Sequence, residues 1–219
     1  MKDRDLPGEW EGSSGACRRD GEVLLGVTGC IGAYKAAEVV RLLRRRDMGV
    51  QVVMTRHAGW FMTSGTLETL SGRPVLDHLF KPRAQGSMEH IELARRADLF
   101  LVAPATANCV GKFAAGIADD LLSTIHLAFK GPVVLAPAMN TGMYRHPAVQ
   151  RNLEILERRG VRLLGPDQGE LACGETGPGR LVPPEFIVQE VVKILGRKSP
   201  RSPLAGRSVL VSAGPPVSR

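Results

Sequence analysis

The sequence predicts an α/β fold: a parallel sheet with helices on both faces. Three observations point there. Short runs rich in Val, Leu and Ile recur along the chain. Amphipathic stretches lie between them, the pattern of βαβ units. The runs are apolar throughout rather than alternating, as in strands covered on both faces. The first strand is 22–28 (EVLLGVT), closing on a Gly-containing turn. A helix follows over 31–46, with apolar residues at 33, 36, 37, 40 and 43 on one face. The second strand is 50–55 (VQVVMT), and a helical segment lies near 56–71. A helix at 89–96 leads into the third strand, 97–103 (ADLFLVA). A single helical stretch, 106–129, separates it from the fourth, 132–138 (PVVLAPA). Another, 142–159, precedes the fifth, 161–165 (VRLLG), and a last helix covers 184–195.

Composition bounds the rest. The chain has 219 residues, of which 43% are hydrophobic, too many for a disordered chain and enough for one core. Its four cysteines (Cys17, Cys30, Cys109, Cys173) share no C-x-x-C spacing. That argues against a zinc site, a redox dithiol or a disulfide framework, and for a reducing, cytoplasmic location. No apolar run approaches the roughly 20 residues that span a bilayer. The net charge of +7 suggests nucleic acid until it is divided. From Arg197 to Arg219 there are five basic residues and no acidic one, leaving 24 basic against 22 acidic side chains elsewhere. The body is close to neutral. Arg44-Arg45-Arg46 lies in a helical pattern and reads as a solvated face. The expected organisation is a disordered leader (1–20), one domain (21–196), a basic Pro/Ser linker (197–207) and a strand-like stub (208–219). The stub (SVLVSAG, then GPP) resembles the opening of another α/β domain.

Five places could carry chemistry. After strand one comes Gly26-Val-Thr-Gly29-Cys30-Ile31-Gly32. Glycines between a strand and a helix let a ligand approach the backbone, and free N–H groups there attract phosphate. The G-x-x-G-x-x-G spacing is not the dinucleotide fingerprint, and strand two ends Met54-Thr55-Arg56 with no acid for a ribose. A mononucleotide such as FMN fits better. After strand three come Thr106, Ala107, Asn108 and Cys109, where parallel sheets bind ligands. Asp119-Asp120 further on reads as a helix N-terminal pair rather than a metal site. After strand four, Asn140 can act as a helix cap or hold a carboxylate or amide. His90 precedes strand three. Last, 171–180 (LACGETGPGR) reads as a mobile loop in which an exposed Cys173 has no evident structural task.

Taken together and in this order, these motifs resemble the flavin-dependent cysteine decarboxylases, over about 22–195. Within that family the match is to the branch that acts on phosphopantothenoylcysteine. HIELARRADLFLVAPATAN, AGIADDLLSTI, APAMNTGMYRHPA and LACGETGPGR carry it. The resemblance implies a Rossmann-like (flavodoxin-like) single flavoprotein domain with FMN as cofactor and no metal. It implies that Gly29, Cys30, Ile31 and Thr55 hold the phosphate end of FMN, and that Thr106, Ala107, Asn108, Cys109 and Ala138 contact the flavin. It makes His90 the base, Cys173 the proton donor on a closing flap, and Asn140, Met143, Arg95 and Gly179 substrate contacts. It implies conversion of 4'-phosphopantothenoylcysteine to 4'-phosphopantetheine in coenzyme A biosynthesis. Family members assemble as trimers, in bacteria often as dodecamers, with flavin between subunits. The stub is similar to the start of the family's synthetase half, whose ligase activity is not expected of these 219 residues. Two alternatives remain: a decarboxylase of a C-terminal peptidyl cysteine, and a non-catalytic flavoprotein regulatory subunit. No nucleic acid or membrane partner is expected.

Overall fold

The structure is a computed structural model that describes residues 21–79 and 89–196. The readings made for 1–20 and for 197–219 lie outside the described residues. Strand β1 (Glu22–Val27) sends Val23, Leu25 and Val27 into one core cluster and Leu24 into another. That alternation is the period of two that a strand buried on both faces requires. β2 (Gly49–Met54), β3 (Leu99–Ala105), β4 (Val133–Pro137) and β5 (Arg162–Leu163) join it in a parallel sheet of order β2-β1-β3-β4-β5.

Helices α1 (Lys35–Arg44) and α2 (Ser64–Ser71) cover one face with the last helix, α8 (Pro184–Gly196). α3 (Glu89–Arg96), α4 (Ala107–Ala115), α5 (Leu121–Ala128) and α7 (Pro147–Arg158) cover the other. There Phe100 packs edge-on to Phe129, and the His126 ring stacks flat on Phe113 with centroids 3.9 Å apart. The strand order reverses between β1 and β3. Flavodoxin-like sheets bind their ligand at such a reversal, outside the carboxyl ends of the strands.

Three expected helices are each broken in two. The segment near 56–71 becomes a short 3-10 helix (Arg56–Trp60) and α2, separated where Thr63 turns extended. The stretch 106–129 ends at Gly116, in the left-handed conformation (φ 72°), and restarts where Asp120 caps α5 in a capping box with Ser123. The stretch 142–159 becomes α6 (Thr141–Arg145) and α7, separated by His146 as N-cap and Pro147 at the first turn. The expected loop 171–180 is partly a hairpin. β7 (Thr176–Arg180) pairs antiparallel with β6 (Asp167–Glu170), leaving 171–175 as its tip. Three glycine and proline residues in five hide β7 from any strand pattern.

Candidate functional site

Two cavities meet at the carboxyl edge of the sheet. The first, of about 670 Å³, opens at the β1/β3 reversal. Its floor is built by turns that one hydroxyl ties together. Thr28 Oγ1 donates to Pro104 O at 2.7 Å and accepts from Thr106 N at 3.2 Å, joining the ends of β1 and β3. Thr106 caps α4, its hydroxyl accepting from Cys109 N at 3.4 Å. The backbone N–H groups of Gly29, Ile31, Ala107 and Asn108 have no acceptor among the described residues. They form a set of donors suited to an anionic or carbonyl-rich ligand. Gly29 is required by packing: a Cβ there would sit 2.5 Å from His57 Cβ and 2.9 Å from its carbonyl carbon.

Opposite these turns, Lys112 Nζ lies 2.7 Å from both Asp119 and Asp120. Burial alone would lower the lysine's pKa, but the two carboxylates outweigh it and raise it. Burial would raise Asp120, yet Lys112 and Ser123 hold it below the usual carboxylate range. Asp120 is therefore both cap and counter-ion, and Asp119 also pairs with Lys112.

The second cavity, of about 510 Å³, lies under the hairpin and shares Cys30, Ala138 and Met139 with the first. The hairpin is fastened to the loop after β4. Met139 N donates to Gly179 O at 2.9 Å. Gly179 has φ 143°, and a Cβ there would fall 2.1 Å from Met139 O, so only glycine permits this approach. The two ends of the Asn140 amide have different partners within the chain. Its side-chain oxygen caps α6, accepting from Gly142 N (2.7 Å) and Met143 N (3.3 Å). Its Nδ2 is thereby aimed at the hairpin tip, donating to Glu175 Oε2 (2.7 Å) and Cys173 Sγ (3.7 Å).

The three described cysteines are not equivalent. Burial raises the pKa of the Cys30 thiol, against a weaker opposing hydrogen bond from Gly32, and raises that of Cys109 further. Cys173 alone is exposed.

The residues named from sequence fall in distinct places. Gly29, Thr55, Thr106, Asn108, Cys109 and Met143 line the first cavity. Ile31, Asn140, Cys173 and Gly179 line the second, and Cys30 and Ala138 line both. Ala107 lines neither but starts α4 beside Thr106. His90 and Arg95 also line neither; both ride on α3, which packs against α5. Met139, Glu175 and Arg180 lie in the quoted motifs without an assigned role, and Lys112 and Lys35 lie outside those sites. No short-range signal marks them, because each gains its place through a tertiary contact.

A family model described as Flavoprotein matches residues 11–196. The chain belongs to the flavoprotein family. Among curated relatives, the coenzyme A biosynthesis bifunctional protein CoaBC of Vibrio cholerae is 50% identical over 194 residues, covering 89% of this chain and 48% of the relative. That of Escherichia coli is 47% identical, with 89% and 47% covered. The chain thus spans about half the length of the curated relatives it matches. Among solved structures, a cysteine-to-serine variant of PPC decarboxylase complexed with pantothenoylaminoethenethiol superposes with a TM-score of 0.71 at 31% identity, covering 79% of this chain and 97% of that one. The FMN binding protein AtHal3 gives a TM-score of 0.71 at 30% identity, covering 83% and 100%.

Proposed function

We propose that this domain is an FMN-dependent decarboxylase converting 4'-phosphopantothenoylcysteine to 4'-phosphopantetheine in coenzyme A biosynthesis. The observation that carries it is the Asn140 amide, its oxygen engaged as a cap and its Nδ2 pointing at Cys173 and Glu175. A carboxylate-binding donor and an exposed thiol thereby share one cleft, beside a cavity lined by Gly29 and Asn108, whose N–H groups have no acceptor among the described residues. That donor set fits FMN: Gly29, Cys30, Ile31 and Thr55 would take its phosphate end, and Thr106, Ala107, Asn108, Cys109 and Ala138 its ring.

Direct loss of CO₂ from an N-acylated cysteine leaves a carbanion with nothing to delocalise it. Bound FMN supplies reversible hydride exchange with the CH₂–SH carbon, which places a C=S beside the developing charge. The protein's share is positioning and proton transfer. Asn140 Nδ2 donates to the substrate carboxylate, with Met143, Arg95 and Gly179 shaping its surroundings. His90 accepts the thiol proton. Cys173 gives a proton to the enethiol carbon after CO₂ has left.

His90 and Arg95 sit on α3, outside both cavities of one chain. A trimer, assembled in turn as a dodecamer, would let His90 of a second copy reach the flavin cleft. We place the protein in the cytoplasm; no helix among the described residues is long and apolar enough to cross a membrane. The test is to purify the protein, record the flavin spectrum, add 4'-phosphopantothenoylcysteine and measure CO₂. Flavin absorbance with stoichiometric CO₂ and thiol product is expected. A colourless protein that releases none contradicts the reading. His90→Asn should keep bound FMN and form no product; turnover like wild type removes His90 from the mechanism.

A further inference from the structure

We propose that Lys35 and Arg180 form a binding site for a phosphomonoester dianion at the end of the hairpin cleft away from Cys173, and that its ligand is the phosphate of the substrate's pantothenoyl arm. The site rests on the decarboxylase reading and extends it to the part of the substrate that does not react.

Both side chains line the same cavity as Cys173. Lys35 Nζ donates to Leu181 O at 3.4 Å, which sets the ammonium against the residue next to Arg180. Arg180 lies over Gly169: a Cβ at that glycine would be 3.2 Å from Arg180 Nη1. Neither cation forms an ion pair among the described residues. Three acids are near: Glu170 lines the cleft, while Asp167 and Glu185 attract the Lys35 ammonium from beyond ion-pair range. They do not prevail. Burial first, and Arg180 second, lower the Lys35 pKa. Two cations sharing a wall with no direct ion pair among the described residues are an arrangement that a dianion relieves.

The spacing agrees. Cys173 is in the hairpin tip and Arg180 ends β7. From Thr176 to Arg180 the strand advances about 13 Å at 3.3 Å per residue. About eleven bonds separate the cysteine Cα of the substrate from its phosphorus, roughly 13 Å extended at ~3.5 Å per three bonds. A substrate with its carboxylate at Asn140 and its thiol beneath Cys173 would therefore lay its phosphate between Lys35 and Arg180. The glycines and proline of β7 leave that path unobstructed by long side chains.

The test uses the FMN-loaded enzyme and pairs of compounds differing only in the phosphate. Binding of 4'-phosphopantetheine and of pantetheine is measured by calorimetry, and turnover of 4'-phosphopantothenoylcysteine and of pantothenoylcysteine by CO₂ release. Wild type should prefer the phosphorylated member at least 10-fold in both. Lys35→Gln and Arg180→Gln should each erase most of that preference, losing over 10-fold on the phosphorylated member and under 3-fold on the other; Lys35→Arg should restore it. No preference in wild type, or equal losses on both members, overturns the site. A binding preference without CO₂ release keeps the site and overturns the decarboxylase reading; CO₂ release without preference does the reverse. The phosphate of FMN is the other candidate ligand. If it occupied this site, both Gln variants would lose affinity for FMN over riboflavin in fluorescence titrations of the apoprotein, which would also overturn the proposal.

Discussion

The two cavities are close neighbours built in opposite ways. The one at the β1/β3 reversal is made from strand ends and a helix start, tied by the buried Thr28 hydroxyl and backed by β3, which is buried over its whole length. The one beneath the hairpin is roofed by an exposed two-stranded ribbon that touches the sheet's edge at a few points, chiefly Met139 to Gly179 and Asn140 to the tip. A two-stranded ribbon is marginal alone, so those points decide whether it stays closed. The contrast suggests a division of labour: a fixed platform for a resident cofactor and a cover for a substrate that comes and goes.

The comparison can be broken most severely at Asn140, which serves both the α6 cap and the cover. Asn140→Ala should lower kcat/KM roughly 10- to 100-fold, the usual loss for one hydrogen bond to a charged carboxylate (about 1.5–3 kcal/mol). Asn140→Ser keeps a capping oxygen and removes the amide. It should be nearly as inactive while matching wild type in thermal unfolding. If Ser restores activity, the cap was the whole role.

Next come two glycines. Gly179→Ala meets Met139 O and a positive φ together, strain of about 1–3 kcal/mol. It should cut turnover by 10-fold or more with the flavin spectrum unchanged. Gly29→Ala drives a Cβ into His57 and should do the reverse, giving protein with weakened flavin retention. Equal effects of both substitutions on flavin content would erase the distinction between platform and cover. A smaller effect belongs to Thr106→Ala, which removes the α4 cap for about 1 kcal/mol. Its mark is a lowered Tm together with weaker FMN binding.

The smallest lies in the platform's backing. Burial, aided by the charge of Arg159, pushes His126 down to about 4. In the unfolded chain it titrates near 6.5. Between these values the unfolded state binds the extra proton, so stability rises with pH from about 4 to 6.5. The slope is at most about 1.4 kcal/mol per unit for one proton and less for a ring that is partly exposed. His126→Phe keeps the stack on Phe113 and should flatten chemical-denaturation profiles across that window. An unchanged slope would assign the acid sensitivity elsewhere.

What could be read from sequence follows from what is local. Strands β1 to β4 are legible because each is a largely apolar run whose burial on both faces leaves little alternation to misread, whereas β5 keeps only two residues at the sheet edge, with Arg162 exposed. The breaks at Gly116 and Pro147 are masked by apolar periodicity that continues through both, although a glycine and a proline mark them. β7 is hidden in the sequence because Thr-Gly-Pro-Gly-Arg has no strand propensity; its pairing with β6 comes from tertiary anchoring at Met139 and Thr141. At the site, Asn140 and Cys173 stood out by residue type in a glycine-rich setting. Lys112 and Arg180 did not, as single basic residues among 29. Lys35 was equally anonymous, since its place depends on Leu181, far away in the chain.

The central claim is that the hairpin delivers the last proton from Cys173. Incubating the Cys173→Ser variant with 4'-phosphopantothenoylcysteine and analysing the product by mass spectrometry tests it directly. The account predicts CO₂ release with accumulation of the unsaturated enethiol, two hydrogens lighter than the wild-type product. Normal saturated 4'-phosphopantetheine from that variant would contradict it.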